Sequence, residues 1–294
     1  MTKRGAALFA LMSVVWGIPY LLIKIAVRDL PPSLVVDVRT AIGAAVLVPL
    51  ALRQGRIRQL RGVWKPLLVY TVAELAVPWL LLSDAERKLP SSLTGLLVAT
   101  VPLFGVLLGL ATRHEERLPR RAIAGLLVGL AGVAVLLGLD VHDHIGSVIE
   151  VVLVALGYAT GPMLAGRYFR ECSSLALSAV SLGLVAVGYL PVAVWQHPHR
   201  FPPAEAVWSL VGLGLVCTAL AFVAFFELIK EIGSTRATVI TYLNPAVAVV
   251  LGVVLLGESF EPSTAVGFGL ILAGSWFATT NRPRRNASME PPRP

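Results

Sequence analysis

The sequence predicts an all-helical membrane protein of ten transmembrane helices, built from two inverted five-helix repeats. Three observations carry this reading: recurring long apolar runs, a helix-pair pattern that occurs twice, and a one-sided distribution of Lys and Arg. Hydrophobic residues make up 56% of the chain and charged residues only 14%, against about a quarter charged in soluble globular domains. Apolar runs of about 20 residues, enough to cross a hydrocarbon core of roughly 30 Å, recur almost end to end. Open strands in lipid would leave backbone groups unsatisfied, so the runs are helices.

Breaks at Pro, Gly and charge clusters place spans at 5–27, 33–52, 64–85, 90–111, 121–139, 146–166, 174–196, 204–229, 234–256 and 263–280. The first follows Lys3 and Arg4 like a signal peptide. No small-residue cleavage pattern precedes Lys24, so it reads as an uncleaved helix. The second opens behind Pro31 and Pro32, and the third follows a basic stretch from Arg53 to Lys65 and carries Glu74. The fourth contains Pro102, ends near Glu116 and leads through Arg113, Arg117, Arg120 and Arg121 into the fifth, which is glycine-spaced at Gly125, Gly129 and Gly132. Spans nine and ten repeat that unit: Pro245 matches Pro102, Glu258 matches Glu116, and Gly267 and Gly274 match Gly125 and Gly132. Pro162 followed by Arg167 in span six echoes Pro19 followed by Lys24 in span one.

Among the Lys and Arg outside the spans, only Arg28, Arg87, Lys88 and Arg200 fall on the side opposite the N-terminus. The positive-inside rule therefore puts both termini in the cytoplasm and the chain in the cell membrane. Five spans per half is an odd number, so the second half enters the bilayer from the other side. The repeats are expected at 1–140 and 145–281, with a polar cytoplasmic tail at 282–294. Inverted repeats generate alternating access around a site near the membrane midplane. The formal charge of +8 does not indicate nucleic acid, because the basic residues sit in short connections and not in a groove. Cys172 and Cys217 suggest neither a disulfide framework nor a metal site. The histidines of HDH at 142–144 and HPH at 197–199 read as solvated loop residues.

The stretches VVWGIPYLLIKIAV and DVRTAIGAA, the Pro31 and Pro32 pair and both helix-Pro-helix-Glu units resemble the drug/metabolite transporter superfamily, in particular its ten-helix EamA-like exporters. The most specific stretch is GLGLVCTALAFVAFFELIKEIGSTRATVITYLNPAVAVVLGVVLLGE, while RHEERL stands in the first half where an LGE-like sequence is usual. The resemblance implies a central cavity lined by spans one, three, four, six, eight and nine, and export of small metabolites such as amino acids or drugs.

Glu74 is the sharpest site residue, since a carboxylate at bilayer centre costs roughly 2.5 to 3.5 kcal/mol on insertion scales and needs a cavity or a partner. It serves either as a proton carrier or contact for a cationic substrate group, or as a structural tie between helices. Arg39 and Asp37 are two apart and do not face each other. Arg39 either binds a carboxylate or phosphate in bidentate fashion or holds helices together. Lys24 carries the same two readings. Pro102 and Pro245 each remove a backbone donor inside a helix, which either lines a site or kinks the packing. Tyr242 and Asn244 add polar groups beside Pro245, and Trp16, Tyr20, Trp79 and Tyr158 supply aromatic walls or ordinary packing. Glu227 and Lys230 have the spacing of a local helix pair, and Glu116 and Glu258 read as membrane-surface acids. The glycines of spans five and ten serve close helix packing, within the chain or in a homodimer. No GxxxxGK[ST] loop is present, so no direct ATP coupling is expected within this chain, and no cofactor or metal is indicated. The leading function is a secondary transporter of a small-molecule substrate, coupled to protons or acting by facilitated exchange; the alternative is a membrane-embedded enzyme acting on a lipid-linked substrate.

Overall fold

The computed structural model describes residues 2–112, 120–138, 144–196, 198, 200–233 and 237–279. Glu116, Arg113, Arg117, Arg236, the tail, and the histidines at 142, 197 and 199 lie outside them. No strand occurs among the described residues. Eight helical segments are long and apolar enough to cross a membrane: Lys3–Ala26, Pro32–Arg53, Ile57–Lys88, Ser91–Ala111, Ile145–Tyr168, Ser174–Trp195, Ala204–Ile232 and Val239–Leu256. Two further helices of 18 residues, Arg120–Leu137 and Pro262–Thr279, take the fifth and tenth places in chain order.

Neighbouring spans follow the exchange of one half for the other. Span two packs on seven, four on nine and five on ten, and each of these pairs maps onto itself; three packs on six, which maps onto the packing of eight on one. The interior is apolar where these pairs meet, with Ile23, Leu82, Val154 and Leu213 in one buried cluster and Leu47, Trp79, Leu182 and Ala219 in another.

Several spans are interrupted where the sequence supplies a reason. Span one divides into Lys3–Val15 and Ile18–Ala26 at Gly17, where a Cβ would lie 2.9 Å from the Asn244 carbonyl oxygen of span nine. Span four divides into Ser91–Val98 and Val101–Ala111, and span nine into a 3-10 turn, Thr238–Tyr242, and the helix Asn244–Leu256. Pro102 and Pro245 thus stand in the first turn of a new helix and not in a helix interior, which corrects the reading from sequence. The first turn has no intrahelical acceptor for its N–H groups, so proline gives up nothing there. At the break in span four, the Ala99 carbonyl accepts from Ser275 Oγ of span ten at 3.5 Å.

Spans three and eight each contain a π-helical segment, Thr71–Ala76 and Gly212–Leu220. A π turn widens the helix by one residue and frees a carbonyl from the regular ladder. Here side chains fill the need: Tyr189 Oη of span seven donates to the Ala76 carbonyl at 3.0 Å, and Thr218 Oγ1 donates to the Leu213 carbonyl at 2.8 Å.

Spans five and ten touch backbone to backbone. A Cβ on Gly132 would lie 2.7 Å from Ile271 N and 2.8 Å from the Gly267 carbonyl oxygen, and one on Gly274 would lie 2.6 Å from the Gly125 carbonyl oxygen. Contacts this short leave room for glycine alone. The seam is internal to the chain, so this face is already occupied and gives no basis for a homodimer. The local pair at the end of span eight is present, with Lys230 Nζ 2.7 Å from Glu227, and Arg4 of span one joins it at 3.0 Å.

Candidate functional site

Arg39 lies on the second turn of the helix Pro32–Arg53, and burial in an apolar bundle obliges its guanidinium to find partners. Its Nε donates to Thr218 Oγ1 at 3.0 Å, and the guanidinium carbon lies 3.6 Å from the ring centroid of Trp79. Thr218 thereby links Arg39 to the π segment of span eight through its own bond to the Leu213 carbonyl. Two small-residue contacts allow this approach: a Cβ on Gly43 would lie 2.8 Å from Thr218 Cγ2, and one on Gly214 would lie 2.5 Å from Ile42 Cβ. No carboxylate lies within ion-pair distance of Arg39 among the described residues, so part of its donor fork is uncommitted to an acid.

Glu74 sits within the π segment of span three, and its Oε2 is buried with no hydrogen-bond partner. It rests against span six at Gly161, where any Cβ would overlap its carboxyl group; at Gly157, one turn away, a Cβ would lie 2.6 Å from Pro78 Cγ. The sequence GYATG, with glycines four apart, is the notch that receives the widened turn. Tyr158, on the same stretch of span six, lies within electrostatic reach of Arg39 and Glu74, and Tyr20 of span one lies within reach of Tyr158 and Arg39. In the second half, the buried Cys217 occupies the π segment where the first half has Glu74.

Four of the residues expected from sequence, Tyr20, Arg39, Trp79 and Tyr158, therefore lie together at the core of the bundle, and Glu74 lies within electrostatic reach of Tyr158. The others lie elsewhere. Trp16 caps the first helix segment and packs at a tilt of 48° against Phe225, ring centroids 4.6 Å apart. Asn244, with its amide oriented to satisfy its neighbours, donates to the carbonyls of Ser13 and Ile240 at 3.0 Å each. Asn244 and Pro245 thus fasten the break in span nine to the break in span one. Tyr242 Oη lies 3.3 Å from Thr279 Oγ1 of span ten, and Pro102 belongs to the part of span four that packs on spans five and ten. A separate cleft of about 470 Å³ opens by the basic loops, lined by Gln59, Val63, Arg167, Arg170 and Cys172 among others.

At the end of the bundle where span one finishes, sequence reading missed one acid, Glu86, and misplaced another, Glu258. Lys24 Nζ donates to the backbone carbonyls of Glu86 and Leu89 at 2.7 and 2.9 Å, fastening span one to the turn that follows span three. Glu86 itself is fully buried. Glu258 accepts from the backbone N–H of Ser91 at 2.7 Å and of Ser92 at 2.9 Å, so it caps the helix Ser91–Val98. It is a cap between the two halves and not a surface acid, because the orphan N–H groups of a helix N-terminus attract a carboxylate. Burial opposes its charge, but the hydrogen bonds from Ser92 and Ser91 outweigh that and hold the carboxyl below the usual carboxylate range. The matching first-half acid, Glu116, lies outside the described residues.

Relatives match the chain over most of their length. The chain is 30% identical over 274 residues to the inner membrane transporter YedA of Escherichia coli strain K12, covering 90% of this chain and 87% of that one. It is 32% identical over 247 residues to a probable terminal-alkyne amino-acid exporter of Streptantibioticus cattleyicolor, covering 82% and 79%, and 27% identical to the transporter YvbV of Bacillus subtilis, covering 97% and 94%. A crystal structure superposes with a TM-score of 0.66 at 23% identity, covering 95% of this chain and 97% of that one, which establishes the fold. The EamA-like transporter family matches twice, at residues 3–138 and 146–280. The chain is a membrane transporter of two repeats and belongs to the EamA-like transporter family.

Proposed function

We propose that this protein is a secondary transporter that exports small metabolites, amino acids or related compounds, by alternating access between its two inverted halves. The observation that carries the proposal is the unpartnered, buried carboxyl oxygen of Glu74 in a π segment at mid-span, within reach of Tyr158, which in turn lies within reach of Arg39. Buried polar groups without partners are rare and call for a ligand or a proton. A zwitterion supplies both needs: its ammonium group suits Glu74, and its carboxylate suits Arg39, which has no acid partner among the described residues. The amino-acid exporter among the relatives supports this substrate class. Interrupted helices on spans one, four and nine, and π segments on three and eight, surround the group, as expected where irregular backbone lines a transport pathway.

Glu74 also serves as the coupling site. A carboxyl group that alternates between a proton and a substrate ammonium exchanges one for the other across the membrane. The test is flux of radiolabelled amino acids in proteoliposomes, with and without a pH gradient. Saturable flux that responds to the gradient, and loses that response in Glu74→Gln while the protein stays folded, is the expected result. Turnover of a lipid-linked substrate without flux would sink the proposal. Cytoplasmic termini and inversion are tested by impermeant labelling of Arg113→Cys and Ser259→Cys, which are expected to react from opposite sides.

A further inference from the structure

A second buried acid, Glu86, borders the group just described, within reach of Tyr20, Arg39 and Tyr158. Glu86 stands in the last turn of the helix Val77–Lys88 with its side chain wholly enclosed, and neither carboxyl oxygen has a hydrogen-bond partner. Among the described residues it forms no ion pair within 4.0 Å. Beside it, Lys24 directs its ammonium to the backbone carbonyls of Glu86 and Leu89, not to the carboxyl group. Glu258 closes the same end by capping the helix that begins at Ser91. The charged and titratable groups that face Glu86 are Lys24 and Tyr20 from span one, Glu258 from beyond span nine, Arg39 from span two and Tyr158 from span six.

We propose that Glu86 is a second proton-binding site, and that the proton it holds latches the outer end of the transporter shut. An enclosed carboxylate without a donor or a paired cation is strongly unfavourable, so the geometry fits the carboxylic acid. With the acid neutral, Lys24 is free to clamp the carbonyls at the end of span three. Opening this end breaks the clamp, wets the site and brings Lys24 and the ionised carboxylate together, and the proton leaves to the outer medium. The closed state thus holds one proton that the open state releases, and acid outside favours closure by linkage. The site lies apart from Glu74, and the proposal rests on the alternating-access reading given above.

Accessibility of Leu89, buried beneath the Lys24 clamp, reports the latch without any substrate. In a background carrying Cys172→Ser and Cys217→Ala, Leu89→Cys is labelled from outside with an impermeant maleimide across a range of outer pH. Each rate is divided by that of the exposed Ser259→Cys, which cancels the ionisation of the thiol itself. With Glu86 intact, the normalised rate is expected to fall by up to about tenfold for each pH unit of acidification through the transition. In Glu86→Gln it is expected to be slow at every pH. A flat profile with Glu86 present, fast labelling of Glu86→Gln, or an unaltered pH response in that variant would each overturn the proposal. If Glu86→Gln does not assemble, Glu86→Ala decides in its place: without a titratable group the labelling is expected to show no pH response, and an unaltered pH response overturns the proposal. Flux in liposomes with flat labelling would discard the Glu86 site alone, whereas pH-gated labelling without flux would discard the transport reading and leave the site standing.

Discussion

Replacing Gly274 by alanine tests the seam between spans five and ten, and the same helix supplies its own control. The new Cβ would lie 2.6 Å from the Gly125 carbonyl oxygen and 2.6 Å from Gly129 Cα, both backbone atoms that cannot rotate away. Ordinary contact for such an atom begins at 3.4 Å, so the two helices must separate by about 1 Å, which opens the neighbouring contacts at Gly132 and Gly267 as well. Overpacking of this kind costs about 1–3 kcal/mol. Alanine's better helix propensity offsets about 1 kcal/mol, which leaves a net loss of about 0–2 kcal/mol. At Gly269, on the same helix, nothing lies within 4 Å of the added Cβ, so only the propensity gain remains. The two variants should therefore differ by about 2 kcal/mol, roughly thirtyfold in the unfolding equilibrium. Equilibrium unfolding in mixed micelles, monitored by tryptophan fluorescence, measures the difference. If Gly274→Ala is as stable as Gly269→Ala, the seam does not hold the helices at this distance and the reasoning fails.

Three further outcomes follow from contacts at the two ends of the site. Glu258→Gln should cost about 1 kcal/mol, the ordinary worth of a helix cap. Because the folded protein holds the Glu258 carboxyl below its unfolded range, this stability is present above the usual carboxylate range and disappears as pH falls through the lowered value. Unfolding of wild type and variant should therefore converge in acid, and a gap that persists there would refute the cap. Gly161→Ala puts a methyl group where the Glu74 carboxyl lies; since the obstructed atoms end a flexible side chain, the protein should fold while the pH response of flux changes as in Glu74→Gln. Unaltered flux across pH would show that span six does not hold Glu74. Arg39→Lys keeps the charge but not the planar group that stacks on Trp79 while reaching Thr218, and should lower stability by about 1 kcal/mol, read as an earlier unfolding midpoint.

Much of the architecture was legible because lipid makes the rules simple. Runs long enough to cross must be helices, and Lys and Arg in short loops report direction. The glycines of spans five and ten announced close packing, and Glu74 announced itself as an acid where water is scarce. The prolines were harder. Pro102 and Pro245 look identical in sequence whether a helix bends around them or restarts at them, and the difference lies in hydrogen bonds to other spans, such as Ser275 to Ala99. The π segments left no local signal, since their carbonyls are satisfied by Tyr189 from another span and by Thr218. Glu86 and Glu258 were hidden for a related reason. Each stands near the end of an apolar run, where acids are ordinarily solvated, and only the partner segment decides whether water reaches them. Thr218 carries no charge, and its role appears only once Arg39 is beside it. Gly157 and Gly161 did carry a signal in their spacing of four.

The glycine seam also bears on how the molecule is made. Gly125 and Gly132 in the fifth helix find their complement in Gly267 and Gly274, at the far end of the polypeptide. A ribosome delivers the fifth helix long before the tenth exists, so that face spends most of synthesis against lipid or a chaperone. A nascent chain halted after span nine should hold a first half that is inserted yet loosely packed. The tenth helix completes the first half as well as the second.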